Sequence, residues 1–242
     1  MLDVAPAISL KGRHVLADVT LFGPVEITLP AGQWTCVLGR SGVGKTTLLR
    51  LMAGLDCAGR FDGTITTSDT RPVAGRASLM AQDDLLLPWL DVLENTVLGA
   101  RLRGDKPDIA RAQELLHRVG LGDHQTRKPG ELSGGMRQRT ALARTLMENR
   151  PIAFLDEPFS ALDASTRAEM QELTGEMLAG RTVLLVTHDP AEAIRLGHQV
   201  IVFTSRRAQS WPLPSTLPLR DIYAPEIVAN LSDLMARLRA LR

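Results

Sequence analysis

Two kinds of hydrophobic pattern alternate along this chain, and together they indicate an α/β fold. Residues 45–55 have apolar side chains at i, i+3, i+4 and i+7, which predicts a helix. Four short runs are apolar throughout, as strands covered on both faces of a parallel sheet are: 34–38, 152–155, 183–186 and 200–203.

The first thirty residues are patterned differently. Apolar segments at 15–16, 19–22 and 25–29, interrupted by Gly23-Pro24, predict short antiparallel strands. Residues 62–66 predict a turn that leads into another strand.

Helical patterns dominate from residue 82 to residue 150 and return near the end of the chain. The predicted helices are 109–119 stopped by Gly120, 134–147 capped by Ser133, 163–178, one that starts at the Asp189 cap, and a last one after a proline-rich stretch at 211–218. This last helix carries Ile227, Leu231, Leu234, Leu238 and Leu241.

The predicted strand 34–38 and the helix after it enclose the pattern G-x-x-x-x-G-K-[ST], the P-loop of nucleotide-binding proteins. In such a loop the backbone N–H groups and the helix N-terminus surround phosphate oxygens, the lysine reaches the β- and γ-phosphates, and the hydroxyl ligates Mg²⁺. The predicted nucleotide-binding residues are Gly39, Arg40, Ser41, Gly42, Val43, Gly44, Lys45 and Thr46, with Thr47 next to them.

Acidic residues and a histidine follow two other predicted strands. Asp156 ends the run 152–155 and fits the carboxylate that a P-loop ATPase needs for Mg²⁺. Glu157, one residue later, would point elsewhere, towards the γ-phosphate, where it can polarise the attacking water as a general base. His188 follows the run 183–186 and can hydrogen-bond the γ-phosphate; the alternative is a histidine that packs before the Asp189 cap.

A second helix N-terminus has bare glycine amides. Ser133, Gly134 and Gly135 form an anion-binding end without a lysine, so this end cannot duplicate the P-loop; by itself the pattern also fits an ordinary serine-capped helix.

Composition limits the possible functions. The 242 residues are 44% hydrophobic with a net charge of +1 and no long basic run, which argues against nucleic acid binding. Cys36 and Cys57 are expected to be buried, reduced thiols. No signal peptide or membrane-spanning run is evident, so we expect a soluble chain that reaches a membrane only through a partner.

The motifs together resemble the ATP-binding subunit of an ABC transporter over about residues 8–204. Six elements occur in the family's order: the P-loop, Gln82, the signature 132–136 with Gln138, Asp156-Glu157, the D-loop 160–163 and His188. The resemblance implies a P-loop NTPase fold: a parallel-sheet core (1–81 and 151–204) with an N-terminal antiparallel β subdomain, an inserted α-helical subdomain (82–150), and a linker with a C-terminal helix (205–242).

The resemblance also implies cofactors and partners. ATP with Mg²⁺ lies between two copies of the chain, so that Ser133, Gly134, Gly135 and Asp163 serve the nucleotide of the partner copy. Gln82 joins Thr46 and Asp156 at the metal, and Glu157, His188, Gln82 and Lys45 act in catalysis. Integral membrane permease subunits and a periplasmic or extracellular solute-binding protein complete the complex, at the cytoplasmic side of the inner membrane.

The segment 82–95 resembles importer ATPases of the nitrate, sulfonate and taurine group, and residues 34–39 favour its branch for a hydroxymethylpyrimidine thiamine precursor. The family's adenine-stacking aromatic is missing, because no aromatic residue precedes Phe22, which we expect to pack; Arg13 or His14 is the predicted substitute. A soluble ABC protein acting on nucleic acid or ribosomes and a non-hydrolysing scaffold are the alternative functions. Trp89 is predicted to be an exposed partner contact, with core packing as its alternative.

Overall fold

The computed structural model describes residues 4–240, which form two compact units. The first contains the chain as far as Ala77, Pro151–Asp156 and the chain from Ala179 onward. The second contains Ser78–Arg150 and Glu157–Leu178. The predicted domains assign 157–178 to the nucleotide-binding core, whereas this segment clusters with the second unit.

The strands are β1 (Ile8–Leu16), β2 (Val19–Leu29), β3 (Trp34–Leu38), β4 (Arg60–Thr67), β5 (Ala77–Met80), β6 (Ile152–Asp156), β7 (Thr182–Thr187), β8 (Gln199–Phe203) and β9 (Ala208–Trp211). The helices are α1 (Lys45–Met52), α2 (Val92–Thr96), α3 (Leu98–Arg103), α4 (Ile109–Arg118), α5 (Gly134–Met147), α6 (Ala164–Met177), α7 (Pro190–Leu196) and α8 (Pro225–Ala240).

The first unit contains the expected parallel strands and an antiparallel sheet. In it, β6, β7, β3 and β8 are parallel neighbours in that order, and β9 pairs antiparallel with β8. Strand β1 lies between β2 and β4. Buried residues of α1 (Leu48, Leu49 and Met52) belong to one core together with residues of both sheets. This packing fixes the start of α1 beside the carboxyl ends of the parallel strands, where α/β proteins bind ligands.

Several predicted boundaries are wrong. Gly23-Pro24 does not end the second strand, because β2 runs through it, but neither residue has a partner on β1, whose register with β2 shifts there. Gly63 is not in a turn but pairs with Gly12 across β1 and β4. Helix α1 ends at Met52, since Gly54 adopts a left-handed conformation (φ 73°) that ends the helix. Strands β5 and β9 and the short helices α2 and α3 were not individually predicted.

The predicted helices of the second unit are confirmed. Side chains of Asp91, Asp108, Ser133 and Asp163 cap α2, α4, α5 and α6. In the last helix of the first unit, Ile227 and Leu234 are buried, while Leu241 lies outside the described residues. Within residues 4–240 no helix has the length and apolarity that a membrane span requires.

Candidate nucleotide-binding and catalytic site

The P-loop connects β3, which is buried along its whole length, to α1. Gly42 (φ 76°) and Gly44 (φ 98°) adopt the left-handed conformation that side-chain-bearing residues avoid. A Cβ atom added to Gly44 would lie 2.8 Å from the Phe22 ring, so this position also lacks room for a side chain. The loop therefore depends on glycine both for its turn and for its fit against the core.

Lys45 is buried, and its ammonium lies inside the loop. Its Nζ atom donates to the carbonyl oxygens of Gly39 (2.8 Å) and Arg40 (3.1 Å). Because Lys45 is also the first residue of α1, its charge lies at a helix N-terminus, where anions are favoured. This arrangement provides the fixed positive charge that a phosphate chain requires.

Thr46 and Asp156 are the residues of the first unit whose side-chain oxygens are predicted to bind Mg²⁺. The Thr46 side chain is exposed in the first turn of α1, and Asp156, the last residue of β6, is buried. Mg²⁺ in nucleotide sites takes one or two protein oxygens and completes its shell with water and phosphate oxygens. One hydroxyl and one carboxylate fit this chemistry.

His188 follows β7 at the same sheet edge. Its exposed side chain lines an open cavity of about 730 Å³ together with Gly39, Arg40 and Ser41. The structure thus brings His188 next to the beginning of the P-loop, which favours the functional interpretation over simple packing. The cavity is also lined by Met235, Leu238 and Arg239 of α8, a proximity that sequence reasoning missed.

The expectation that Phe22 packs in the core is confirmed. The ring is fully buried, is edge-on to Phe203 (centroids 5.3 Å apart), and stacks on His14 (5.8 Å). His14 is wrong as a platform for adenine, because only 1% of it is exposed and its Nε2 atom bonds the Ala58 carbonyl. Arg13 is exposed, and its guanidinium bonds Asp62 at 3.0 and 3.1 Å.

Glu157 belongs to the second unit and has a strained backbone. Its φ of 50° is unusual for a residue with a side chain, and such strain concentrates at functional sites. Its carbonyl oxygen accepts hydrogen bonds from Gln138 Nε2 (3.0 Å) and Ser160 Oγ (3.1 Å). These bonds hold the backbone of the predicted general base in one conformation.

Gln138 joins the signature helix α5 to the D-loop. Besides Glu157 it bonds Ser160, and its Oε1 atom accepts from the Ala161 N–H at 2.8 Å. A Cβ atom added to Gly135 would lie 3.3 Å from the Ala161 carbonyl oxygen, so glycine permits this close approach. Gln138 was predictable as part of the signature motif, but its hydrogen bonds to the D-loop were not.

Two further predicted site residues cap the helices of this unit. Ser133 Oγ accepts from the Met136 N–H at 3.3 Å, and both Ser133 and Gly134 are exposed. The Asp163 carboxylate caps α6 through the Thr166 N–H and hydroxyl, and these bonds hold the pKa of Asp163 below its usual value.

Gln82 is exposed in the loop before α2, and the later part of this loop is hydrogen-bonded to Asn95. The fully buried Asn95 donates from its Nδ2 atom to the carbonyls of Leu87, Leu90 and Asp91 and accepts from the Leu87 N–H. Trp89 lies between the residues that bond Asn95, and it is 66% exposed. Core packing is therefore wrong for Trp89, and the loop presents its ring to solvent.

Comparisons with known proteins identify the family of the chain. Residues 22–160, more than half of the chain, match the family model described as ABC transporter. The chain is 42% identical over 223 residues to an uncharacterized ABC transporter ATP-binding protein of Haemophilus influenzae (90% of this chain, 91% of the relative). It is 44% identical over 209 residues to the aliphatic sulfonates import ATP-binding protein SsuB 1 of Rhodococcus jostii (83% and 82%).

Among solved structures, a dimeric post-hydrolysis state of the ATP-binding cassette MJ0796 with ADP and Pi has a TM-score of 0.74 and 27% identity. That likeness covers 88% of this chain and 99% of the cassette. The P-loop, the family match and these relatives lead to one conclusion: the chain belongs to the ABC transporter family and is an ATP-binding, ATP-hydrolysing cassette of it.

Proposed function

We propose that this chain energises a membrane importer of small sulfonates. The glycine-built P-loop with the Lys45 ammonium inside it carries the ATPase part of the proposal. The import direction and the solute class are supported by the relatives named for aliphatic sulfonate import and by the segment 82–95. The hydroxymethylpyrimidine precursor is the second candidate solute, favoured by residues 34–39.

In the proposed reaction, a water oxygen attacks the γ-phosphorus while the bond to the β–γ bridging oxygen breaks, giving ADP and phosphate. The Glu157 carboxylate takes the proton of the attacking water. Lys45 and the P-loop N–H groups bind the β- and γ-phosphate oxygens, and His188 donates a hydrogen bond to the γ-phosphate.

Thr46 and Asp156 are the proposed holders of Mg²⁺ in the first unit, and Gln82 remains a predicted further ligand. When bound, the ion supplies charge neutralisation on the phosphates.

The proposed working form is a head-to-tail dimer. Ser133, Gly134 and Gly135 of one copy would meet the γ-phosphate bound by the other, because an exposed helix N-terminus without a lysine suits an anion that is already held elsewhere. The dimeric state of the MJ0796 cassette supports this arrangement. In this proposal, permease subunits contact the Trp89 loop. The complex lies at the cytoplasmic face of the membrane, with a solute-binding protein on the other side.

Glu157→Gln tests the reaction. This change keeps size and hydrogen bonding but removes the base, so we expect ATP binding to persist while turnover falls by ~10²–10⁴. An ATP-stabilised dimer should appear on a sizing column. Glu169→Gln, the same change on an exposed position of α6, is the matched control and should behave as wild type. Wild-type turnover in Glu157→Gln would contradict the assignment.

The solute is tested in proteoliposomes with the permease and the binding protein. We expect ATP-dependent uptake of a labelled alkanesulfonate, and competition by other sulfonates. Uptake of the hydroxymethylpyrimidine alone would select the second candidate, and export of the sulfonate would contradict the import direction.

A further inference from the structure

The C-terminal segment is bonded to the end of α7. The N–H groups of Leu219 and Arg220 donate to the Arg195 carbonyl at 2.8 and 3.1 Å. Arg220 Nη1 donates to the carbonyls of Ile194 (2.8 Å) and Gly197 (2.7 Å). Carbonyls in the last turn of a helix have no partner inside the helix, and a cation there is favoured. Residues 219–220 therefore cap α7 from outside.

The guanidinium that completes this cap is buried. Arg220 is 6% exposed, its Nη2 atom reaches the Pro214 carbonyl at 3.5 Å, and burial lowers its pKa. A buried cation is costly unless it is hydrogen-bonded, so the backbone carbonyls around it determine where Arg220 can lie. Helix α8 also packs against α7. The segment after β9 thus holds α7 at its end and along its side.

The other end of α7 follows His188 directly. The Asp189 carboxylate caps the helix by accepting from the N–H groups of Ala191 (2.9 Å) and Glu192 (3.5 Å). The Asp189 N–H donates to Thr187 Oγ1 at the end of β7 (3.1 Å). His188 lies between these two anchored residues. A seven-residue helix is only about 10 Å long, so we expect a shift of its end to displace its start.

We propose that Arg220 is a positioning residue for His188 and acts on it through α7. The inference rests on the proposed role of His188 at the γ-phosphate. It gives the C-terminal segment a function in the ATPase: the cap at residues 219–220 sets where His188 lies beside the P-loop.

Arg220→Gln is the test variant, because glutamine keeps a polar group but is too short to donate to both carbonyls. Displacement of a catalytic group by about 1 Å can cost up to ~100-fold in rate, and we expect kcat to fall ~10-fold. The Kd for ATP should stay within about twofold, since the P-loop contacts are unchanged. Arg220→Lys keeps an ammonium for the two carbonyls and should lose only about threefold in kcat.

A double-mutant cycle separates positioning from stability. In a His188→Ala background, Arg220→Gln should have no further effect on kcat, because no imidazole remains to be positioned. Arg76→Gln is the control for loss of a largely covered arginine, since 11% of the Arg76 side chain is exposed. Arg76 bonds Asp69 and the Arg71 carbonyl and no residue of α7 in the described contacts. This control variant should lower the melting temperature without changing kcat.

Three results would overturn the inference. The first is a wild-type kcat for Arg220→Gln while His188→Ala is impaired. That outcome would leave the proposed function intact. The second is an equal loss with and without His188. The third is a wild-type kcat for His188→Ala itself, which would also remove the proposed role of that residue. If Arg220→Gln does not fold, the cycle is measured with Arg220→Lys, and a wild-type kcat for it would then overturn the inference.

Discussion

Phe22 is the position where the structure separates a core residue from a nucleotide contact most sharply. Its ring is fully buried in the core that contains α1, lies edge-on to Phe203 and stacks on His14. Replacement of a buried phenylalanine by alanine costs about 3–5 kcal/mol. Because each of the two lost ring pairs adds about 0.5–1.5 kcal/mol, we expect Phe22→Ala to fall in the upper half of that range.

The measurement is urea unfolding followed by circular dichroism, with Phe22→Leu as the control. Leucine fills much of the space and loses the two ring pairs, so we expect it to cost about 1–3 kcal/mol. Both variants should bind ATP, measured with a fluorescent analogue below the unfolding transition. The Kd should rise no more than about threefold, because the ring supports Gly44 from the core side and does not enter the loop.

Arg13→Ala is the comparison for adenine binding. Arg13 is exposed, so its loss should weaken ATP binding more than Phe22→Ala does while leaving stability nearly unchanged. A destabilisation below about 1 kcal/mol for Phe22→Ala would refute the packing argument. A large loss of ATP affinity in folded Phe22→Ala would show that Phe22 is the adenine platform after all.

Three further predictions follow from single sites. Ser133→Arg should abolish hydrolysis but leave ATP binding to the same chain intact. Mixing this variant with Lys45→Ala should leave at most one sound composite site per dimer. Loss of nucleotide binding by the Ser133→Arg monomer would contradict the shared site. Trp89→Ala should leave folding and basal ATPase nearly unchanged, because the ring is exposed, but should weaken co-purification with the permease and uncouple transport; an unfolded variant or unchanged assembly would contradict this. A maleimide should label the half-buried Cys57 in the native protein and Cys36 only in denaturant, because burial raises the pKa of the Cys36 thiol and excludes the reagent; fast native labelling of Cys36 would refute its burial.

The sequence by itself determined the parts of this protein that depend on neighbouring residues. The buried strands β3, β6, β7 and β8, the helix caps and the P-loop turn each follow from a local pattern and from the conformations that glycine, serine and aspartate permit. The candidate chemistry at 39–46, 156–157 and 188 was predictable for the same reason, since each motif is a short segment at a strand end.

Tertiary structure decided what joins distant segments. Gly23-Pro24 remains inside β2 although neither residue pairs with β1, because Phe22 and Val25 pair on either side and the Gly23 N–H donates to the Ser205 carbonyl at 2.9 Å. His14 looked available for adenine, but the ring stack with Phe22 and the bond to Ala58 bury it. Gln138 reaches the D-loop 23 residues away, and Arg220 reaches Ile194 across 26 residues. No hydrophobic period encodes such contacts, because they depend on which backbone carbonyls the packing of other elements leaves unpaired.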